Sequence, residues 1–274
     1  QELEGTIGIA HTRWATHGKP TDINSHPHCD NKKTTAVVHN GIIENYVELR
    51  NFLTSNGYEF LSQTDTEVIP NLIHYYYEKT TKKDEKDFLQ AMANAVKDFK
   101  GSFAIEVLNQ DFKDKMFVIR KDSPLVIGKG EEENYISSDI PAILSFTKDF
   151  YLLEDYEFAV LSKDNIEFYN LNLEKISKQP KNITWDMSSA EKGDFEDFML
   201  KEIYEQPKAI RETIGSRISK DSKTNIEELN FSKEYLESVD RIYIVACGTA
   251  MHAGLAVRKI LEGFCKIQTE VDIA

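Results

Sequence analysis

A chain of 274 residues with 41% hydrophobic side chains is long enough for one large domain or two of medium size. Its formal net charge of −13 argues against nucleic acid or an anionic membrane surface as partner, but not against small anionic substrates held by a local positive site. No apolar run approaches the roughly 20 residues of a membrane helix, and three widely spaced cysteines, Cys29, Cys247 and Cys265, give no disulfide framework and fit a reducing cytoplasm.

The first five residues are acidic and lack the apolar stretch of a signal peptide. Residues 8–10 end an apolar run that reads as a strand, and the chain then enters His11-Thr12-Arg13-Trp14-Ala15-Thr16-His17-Gly18. A loop made only to connect would be rich in Gly, Pro, Asn and Asp. This one offers a guanidinium fork suited to a carboxylate, an indole wall, and short-range donors and acceptors from His11, Thr12, Thr16 and His17. Packing on a neighbouring sheet and binding of a ligand both satisfy that composition. His26, His28 and Cys29 lie close enough to suggest a metal, but no fourth ligand has a recognisable spacing, and none is assigned.

Residues 35–39 read as a buried strand running into Asn40-Gly41. That dipeptide is a hairpin-turn signal and equally a pair of donors, the Asn40 amide and the Gly41 N–H, suited to an oxyanion. Thr64-Asp65-Thr66-Glu67 has the capping-box pattern ahead of Val68, Ile69, Leu72 and Ile73, which predicts a helix start. Residues 87–99 put Phe88, Leu89, Met92, Val96 and Phe99 on one helical face and stop at Gly101. Strand-like runs follow at 103–108, 116–120, 135–137, 150–153, 158–161 and 166–169, with Glu131-Glu132-Glu133 as a solvated turn. Strands in succession with few helices predict layered sheets with helices outside.

From about residue 190 the pattern changes. Residues 194–219 read as helical with a break or kink required near Pro207, and 234–239 continue helical. Residues 241–246 form a continuous apolar strand of the kind buried in a parallel sheet. Cys247-Gly248-Thr249 turns it, 250–263 is helical and 269–273 is the next strand, a βαβ unit. A Gly-Thr turn at a helix start is an ordinary connection and equally a phosphate cradle.

His11–Gly18, Val37-Val38-His39-Asn40-Gly41-Ile42-Ile43-Glu44-Asn45 and Thr64–Val68, in this order and at this spacing, resemble the glutaminase domain of class-II glutamine amidotransferases. The match continues through Ser123–Gly128 and Ser138-Asp139. Lys201-Glu202-Ile203-Tyr204-Glu205-Gln206-Pro207 and Ala246-Cys247-Gly248-Thr249 lie outside any glutaminase and resemble the branch of that family that aminates fructose 6-phosphate. The resemblance covers nearly the whole chain.

It implies a mixed α+β and α/β fold. Residues 1–188 would be an αββα sandwich of the N-terminal nucleophile hydrolase type, incomplete at its start. Residues 189–274 would be linker helices and the first βαβ unit of a sugar isomerase (SIS) domain, truncated. The implied reaction of the full-length protein is hydrolysis of glutamine and transfer of ammonia to fructose 6-phosphate, giving glutamate and glucosamine 6-phosphate, an amino-sugar precursor. No cofactor or metal is implied, and the implied form is a cytoplasmic homodimer joined through the SIS domain. Carried over position by position, Arg13 clamps the α-carboxylate of glutamine and Asp65 takes its α-ammonium. Asn40 and Gly41 stabilise the oxyanion, Trp14 gates the path of ammonia, and Thr16 and His17 line the glutamine pocket. Gly248 and Thr249 hold the sugar phosphate, with Ala250 where the family usually has serine.

Family members begin with a catalytic cysteine at position one. This chain begins with Gln1, and Cys29 follows the arginine loop, so the expectation is an internal piece, inactive as given. The alternatives are another class-II enzyme (an amidophosphoribosyltransferase or asparagine synthetase) and a non-catalytic glutamine-binding module. The stretches at 201–207 and 246–249 speak against the first.

Overall fold

The computed structural model describes residues 5–13, 17–184, 195–215 and 231–274, which fall into two compact units, Gln1–Glu191 and Lys192–Ala274.

The first unit opens with β1 (His28–Cys29) and β2 (Thr35–Ile43), followed by three helices, α1 (Tyr46–Ser55), α2 (Val68–Glu78) and α3 (Glu85–Asp98). The strands β3 (Gly101–Asn109), β4 (Met116–Lys121), β5 (Val126–Lys129), β6 (Asn134–Ser137) and β7 (Asp149–Leu152) come next, and then β8 (Phe158–Leu161), β9 (Ile166–Tyr169), β10 (Lys175–Ile176) and β11 (Lys181–Asn182). They build a seven-stranded sheet in the order β1-β2-β3-β4-β8-β9-β10 and a four-stranded sheet in the order β11-β7-β5-β6. Every pairing in both sheets is antiparallel.

Strand alternation assigns the two faces of the larger sheet. Phe103, Ile105 and Val107 of β3 join Phe117, Ile119 and Phe158 in a core closed by the apolar faces of α1, α2 and α3. The opposite face, with Ala104, Val118, Ala159 and Leu161, packs on Leu125, Ile127 and Leu153 of the second sheet. The arrangement is helices, sheet, sheet. Beyond the second sheet, Val126 and Phe150 are covered by Ile143 and Leu144 of a turn segment, and no α-helix forms a fourth layer among the described residues.

Local chemistry accounts for α3. The Asp84 side chain caps it by accepting from Asp87 N at 2.9 Å. Glu85 and Asp87 in the first turn and Lys97 in the last complement the helix dipole.

Four expectations are corrected. Asn40-Gly41 is no hairpin: it lies inside β2, with Asn40 opposite Ala104 and Gly41 opposite Phe103. The capping box at 64–67 is not made, because Glu67 instead accepts from Leu61 N at 3.0 Å and from Ser62 N and Oγ, both at 2.7 Å. In the second unit, α4 (Phe198–Gly215) continues through Pro207, so a break there is ruled out. After α5 (Lys233–Ser238), β12 (Arg241–Ala246) pairs in parallel with β13 (Gln268–Ile273) through α6 (Gly248–Ile260), but β12 is not buried on both faces. Ile244 and Val271 pack at Gly254 of α6, whereas Tyr243 and Val245 on the other face are each 61% exposed. One helix covers one side. Among the described residues no helix is long and apolar enough to cross a membrane.

Candidate functional site

The end of β2 is pressed against the start of β3. Gly41 has φ +132°, and a Cβ there would lie 2.2 Å from the Ser102 carbonyl oxygen. Gly101 has φ +109°, and its Cβ would meet the Ile42 carbonyl oxygen at 2.2 Å. No residue with a side chain fits either place. The two glycines let the strands close while Asn40 stands exposed beside them.

Three successive side chains ahead of α2 bolt this strand end in place. Asp65, buried, accepts from Ile43 N at 2.8 Å through Oδ2. Its Oδ1 is 3.9 Å from His17 Nδ1, and Oδ2 is 4.0 Å from His39 Nδ1. Thr66 Oγ1 bridges His39 Nδ1 at 3.1 Å and His26 Nε2 at 3.3 Å. Thr64 Oγ1 reaches His28 Nε2 at 3.1 Å. The residue types that cap a helix are used here for long-range pairing, although α2 does start at Val68 as their pattern predicts.

Arg13 sits at φ +54° and folds its own loop. Its guanidinium donates to the carbonyl oxygens of His17, Gly18 and Lys19, the last two at 3.2 Å, while its backbone N–H donates to His11 Nδ1 at 3.0 Å. Those carbonyls are neutral, and no carboxylate among the described residues lies within ion-pair distance of Arg13. A guanidinium stays charged under all ordinary conditions, so the loop presents a net positive charge.

Arg13, His17, Asn40, Gly41 and Asp65 all line one cavity of about 320 Å³. Its size is at the low end for small-molecule sites. His11, His26, His39, Ile42, Thr64, Thr66 and Ser102 complete the lining. Sequence reading gave no role to His26 or His39, although His39 immediately precedes Asn40 and that adjacency was the available signal. His11 and His26 stack with centroids 4.5 Å apart. Burial, aided by the charge of Arg13, holds the His11 imidazolium unfavourable. Burial and then the neighbouring imidazoles push His26 down to about 3. His39, wholly buried, is also lowered by burial, against the pull of Asp65, and its Nε2 has no side-chain hydrogen-bond partner among the described residues. His11, His26 and His39 are thus held towards their neutral forms, and Arg13 brings a positive charge to the cavity.

Trp14 and Thr16 lie outside the described residues. Cys29 lines a different cavity, about 710 Å³, together with Asp30, Lys33, Tyr58 and His74, and burial followed by Asp30 pushes its thiol up. Among the described residues no group of three or more His, Cys, Asp or Glu side chains is arranged to hold a metal. In the second unit, Gly248 has φ +57° and opens α6, with open space where a Cβ would stand. Thr249 follows it in the first turn, exposed.

Residues 11–145 match the sequence profile of a glutamine amidotransferase domain. The chain is 54% identical over 272 residues to the glutamine–fructose-6-phosphate aminotransferase (isomerizing) of Clostridium perfringens, covering 99% of this chain and 43% of that protein. It is 51% identical to the same-named protein of Clostridium acetobutylicum, covering 99% and 44%. The chain thus spans less than half the length of these curated relatives. Among solved structures, the glutamine phosphoribosylpyrophosphate amidotransferase of B. subtilis aligns with a TM-score of 0.50 at 18% identity, covering 95% of this chain and 50% of that one, a likeness of fold alone.

Proposed function

The chain carries a glutamine amidotransferase domain over residues 11–145, and from that premise we propose that its full-length gene product is a glutamine–fructose-6-phosphate aminotransferase. It releases ammonia from glutamine and transfers it to fructose 6-phosphate, giving glutamate and glucosamine 6-phosphate. The observation that carries the reading is the convergence of Arg13, Asp65, Asn40 and Gly41 on one cavity of amino-acid size.

Each group has a task that follows from its setting. Arg13 receives the α-carboxylate, exchanging neutral carbonyl partners for a carboxylate whose two oxygens match the guanidinium fork. Asp65 receives the α-ammonium while its Oδ2 keeps Ile43 N–H, so that binding and strand position are tied to one carboxylate. His17 lines the cavity beside it. The Asn40 amide and Gly41 N–H stand on a strand fixed by β3 on one side and Asp65 on the other, donors already in position before charge develops on the amide oxygen. The family nucleophile is an N-terminal cysteine thiolate, and none of Cys29, Cys247 or Cys265 lines this cavity.

The finer fold reading belongs to the same proposal: an αββα sandwich of the N-terminal nucleophile type, followed by the opening of a SIS domain. In that domain Gly248 and Thr249 contact the sugar phosphate, and its exposed apolar side pairs two subunits. Three free cysteines are consistent with a cytoplasmic protein.

The test measures glutamate and glucosamine 6-phosphate formed by the full-length product from glutamine, with and without fructose 6-phosphate. Asn40→Ala is expected to lower kcat by roughly 10²–10³-fold with little change in KM. Absence of glutamate release by the unaltered protein, or amination of a phosphoribosyl acceptor in place of the hexose, would overturn the assignment.

A further inference from the structure

We infer that Glu106 is a positioning residue for glutamine hydrolysis: once glutamine is bound, its carboxyl O–H donates to Asn40 Oδ1 and so turns the Asn40 amide N–H towards the oxyanion. The inference rests on the amidotransferase reading and deepens it.

Glu106 lies on the face of β3 that carries Ala104, the face turned to the second sheet. In the β2/β3 register Val38 opposes Glu106 and Asn40 opposes Ala104. Asn40 and Glu106 are therefore diagonal neighbours on one face, about 7–8 Å apart at the backbone and within reach of long side chains. Both line a cavity of about 740 Å³ between the sheets, shared with His11, Arg13, Ser137 and Ser138.

The other neighbours of Glu106 are apolar: Val38 and Val118 directly across the strands, with Leu125 and Ile136 over them. Half-buried against these side chains, a carboxylate there loses part of its hydration without a charged partner in return. Burial alone pushes the Glu106 carboxyl up to about 7, no hydrogen bond or charged neighbour contributing. Of the other titratable groups lining this cavity, His11 and His39 are lowered and so already neutral near pH 7, and Arg13 stays charged. The lining from the second-sheet side adds no titratable side chain. Glu106 is the group in this cavity whose charge changes near neutrality.

An asparagine that stabilises an oxyanion must present N–H, and its amide has two ends. A neutral carboxyl donating to Oδ1 selects the productive end. An ionised one attracts the amide N–H away and adds negative charge beside the developing oxyanion, opposing catalysis. The rate should therefore fall as pH rises through the Glu106 titration.

The experiment follows glutamate release by the full-length product from pH 5.5 to 9 in wild type, Glu106→Gln and Glu106→Val. Wild-type kcat is expected to fall up to about tenfold per pH unit above about 7. Glu106→Gln, a donor without a charge, should keep the low-pH kcat and lose that fall. Glu106→Val should give a kcat roughly tenfold below the wild-type low-pH value and without the fall at higher pH, with KM changed less than about twofold. A Glu106→Gln profile superimposed on wild type, or an undiminished kcat in Glu106→Val, overturns the inference. If the valine variant does not fold, the glutamine profile alone decides. A wild type without glutaminase activity removes the reading on which this rests, whereas an active wild type indifferent to Glu106 removes this inference alone.

Discussion

The two units spend their apolar residues differently. In the first, Phe88, Phe103, Phe117, Phe150 and Phe158 are wholly buried, and all the buried hydrophobic side chains of the described residues belong to it. In the second, Met199, Tyr204, Tyr243 and Val245 stand open to solvent, and Phe264 is 86% exposed. Both units formed most of their elements where apolar patterning put them, although α1 and β5 were not among those read. The lesson is that patterning makes strands and helices, while burial needs a second layer on each face. The first unit has helices on one side of its large sheet and another sheet on the other. The second has a two-stranded parallel sheet and one helix against it, too little for independent stability.

Two glycines with positive φ give the sharpest contrast. Gly41→Ala must place a Cβ 2.2 Å from a backbone oxygen, whereas Gly248→Ala meets nothing within 4 Å. Strain and overpacking together should cost roughly 3–5 kcal/mol at Gly41 and remove glutamine hydrolysis. At Gly248 backbone strain alone should cost about 1–2 kcal/mol. Urea midpoints of the two variants check this, and equal losses would break the contrast.

A matched pair of aromatic truncations comes next. Phe103→Ala empties a wholly buried position and should cost about 3–5 kcal/mol. Tyr243→Ala removes a ring that is 61% exposed and should cost less than about 0.5 kcal/mol. A loss above about 2 kcal/mol for Tyr243→Ala in the full-length product would mean that a further layer covers that face.

How much was legible in the sequence divides along the same line. Most strands between Met116 and Tyr169, β5 excepted, could be read because they are short, apolar and bounded by turn residues, and α3 because its apolar spacing and Asp84 cap are local. Asn40-Gly41 could not be settled locally: the same dipeptide serves a hairpin or a tight strand crossing, and only the Ser102 carbonyl decides. Thr64, Asp65 and Thr66 satisfy a capping pattern, yet their partners are His28, Ile43, His26 and His39, which no local window contains. Glu106 passed as one polar residue in a strand, because its isolation depends on what faces it across the sheets. The exposed face of β12 was read as buried, since sequence shows what wants cover and not what provides it.

Titration should act on the first unit. His11, His26, His28 and His39 all lie below the ordinary histidine value of 6.5, burial being the first cause in each. The folded state holds them neutral, while the unfolded chain takes up their protons below 6.5. Their contribution to stability is therefore full above about 6.5 and is lost as pH falls towards the folded values, about 3 for His26. Denaturation midpoints should drop between pH 6.5 and 5, before most carboxylates protonate. His26→Asn should shallow that slope. A flat midpoint across this window would show that the buried histidines carry no linkage.

The smallest effect expected is at Arg13, and it separates binding from folding. The guanidinium holds three carbonyls of its own loop through two nitrogens. A lysine ammonium at that place has three donors at a single point and cannot keep the loop carbonyls and also meet a carboxylate side-on. In the full-length product, Arg13→Lys should raise KM for glutamine about tenfold, near 1.4 kcal/mol, with kcat little changed. Ammonia-dependent synthesis, where the enzyme shows it, bypasses the glutamine cavity and should be spared. The described residues of the loop, 11–13, 17 and 18, are exposed or half-buried, so the melting temperature should move little. If Arg13 served only to fold its loop, lysine would lower the melting temperature and depress both activities together. A KM effect confined to glutamine assigns the arginine to the substrate carboxylate, and a shared loss assigns it to the fold.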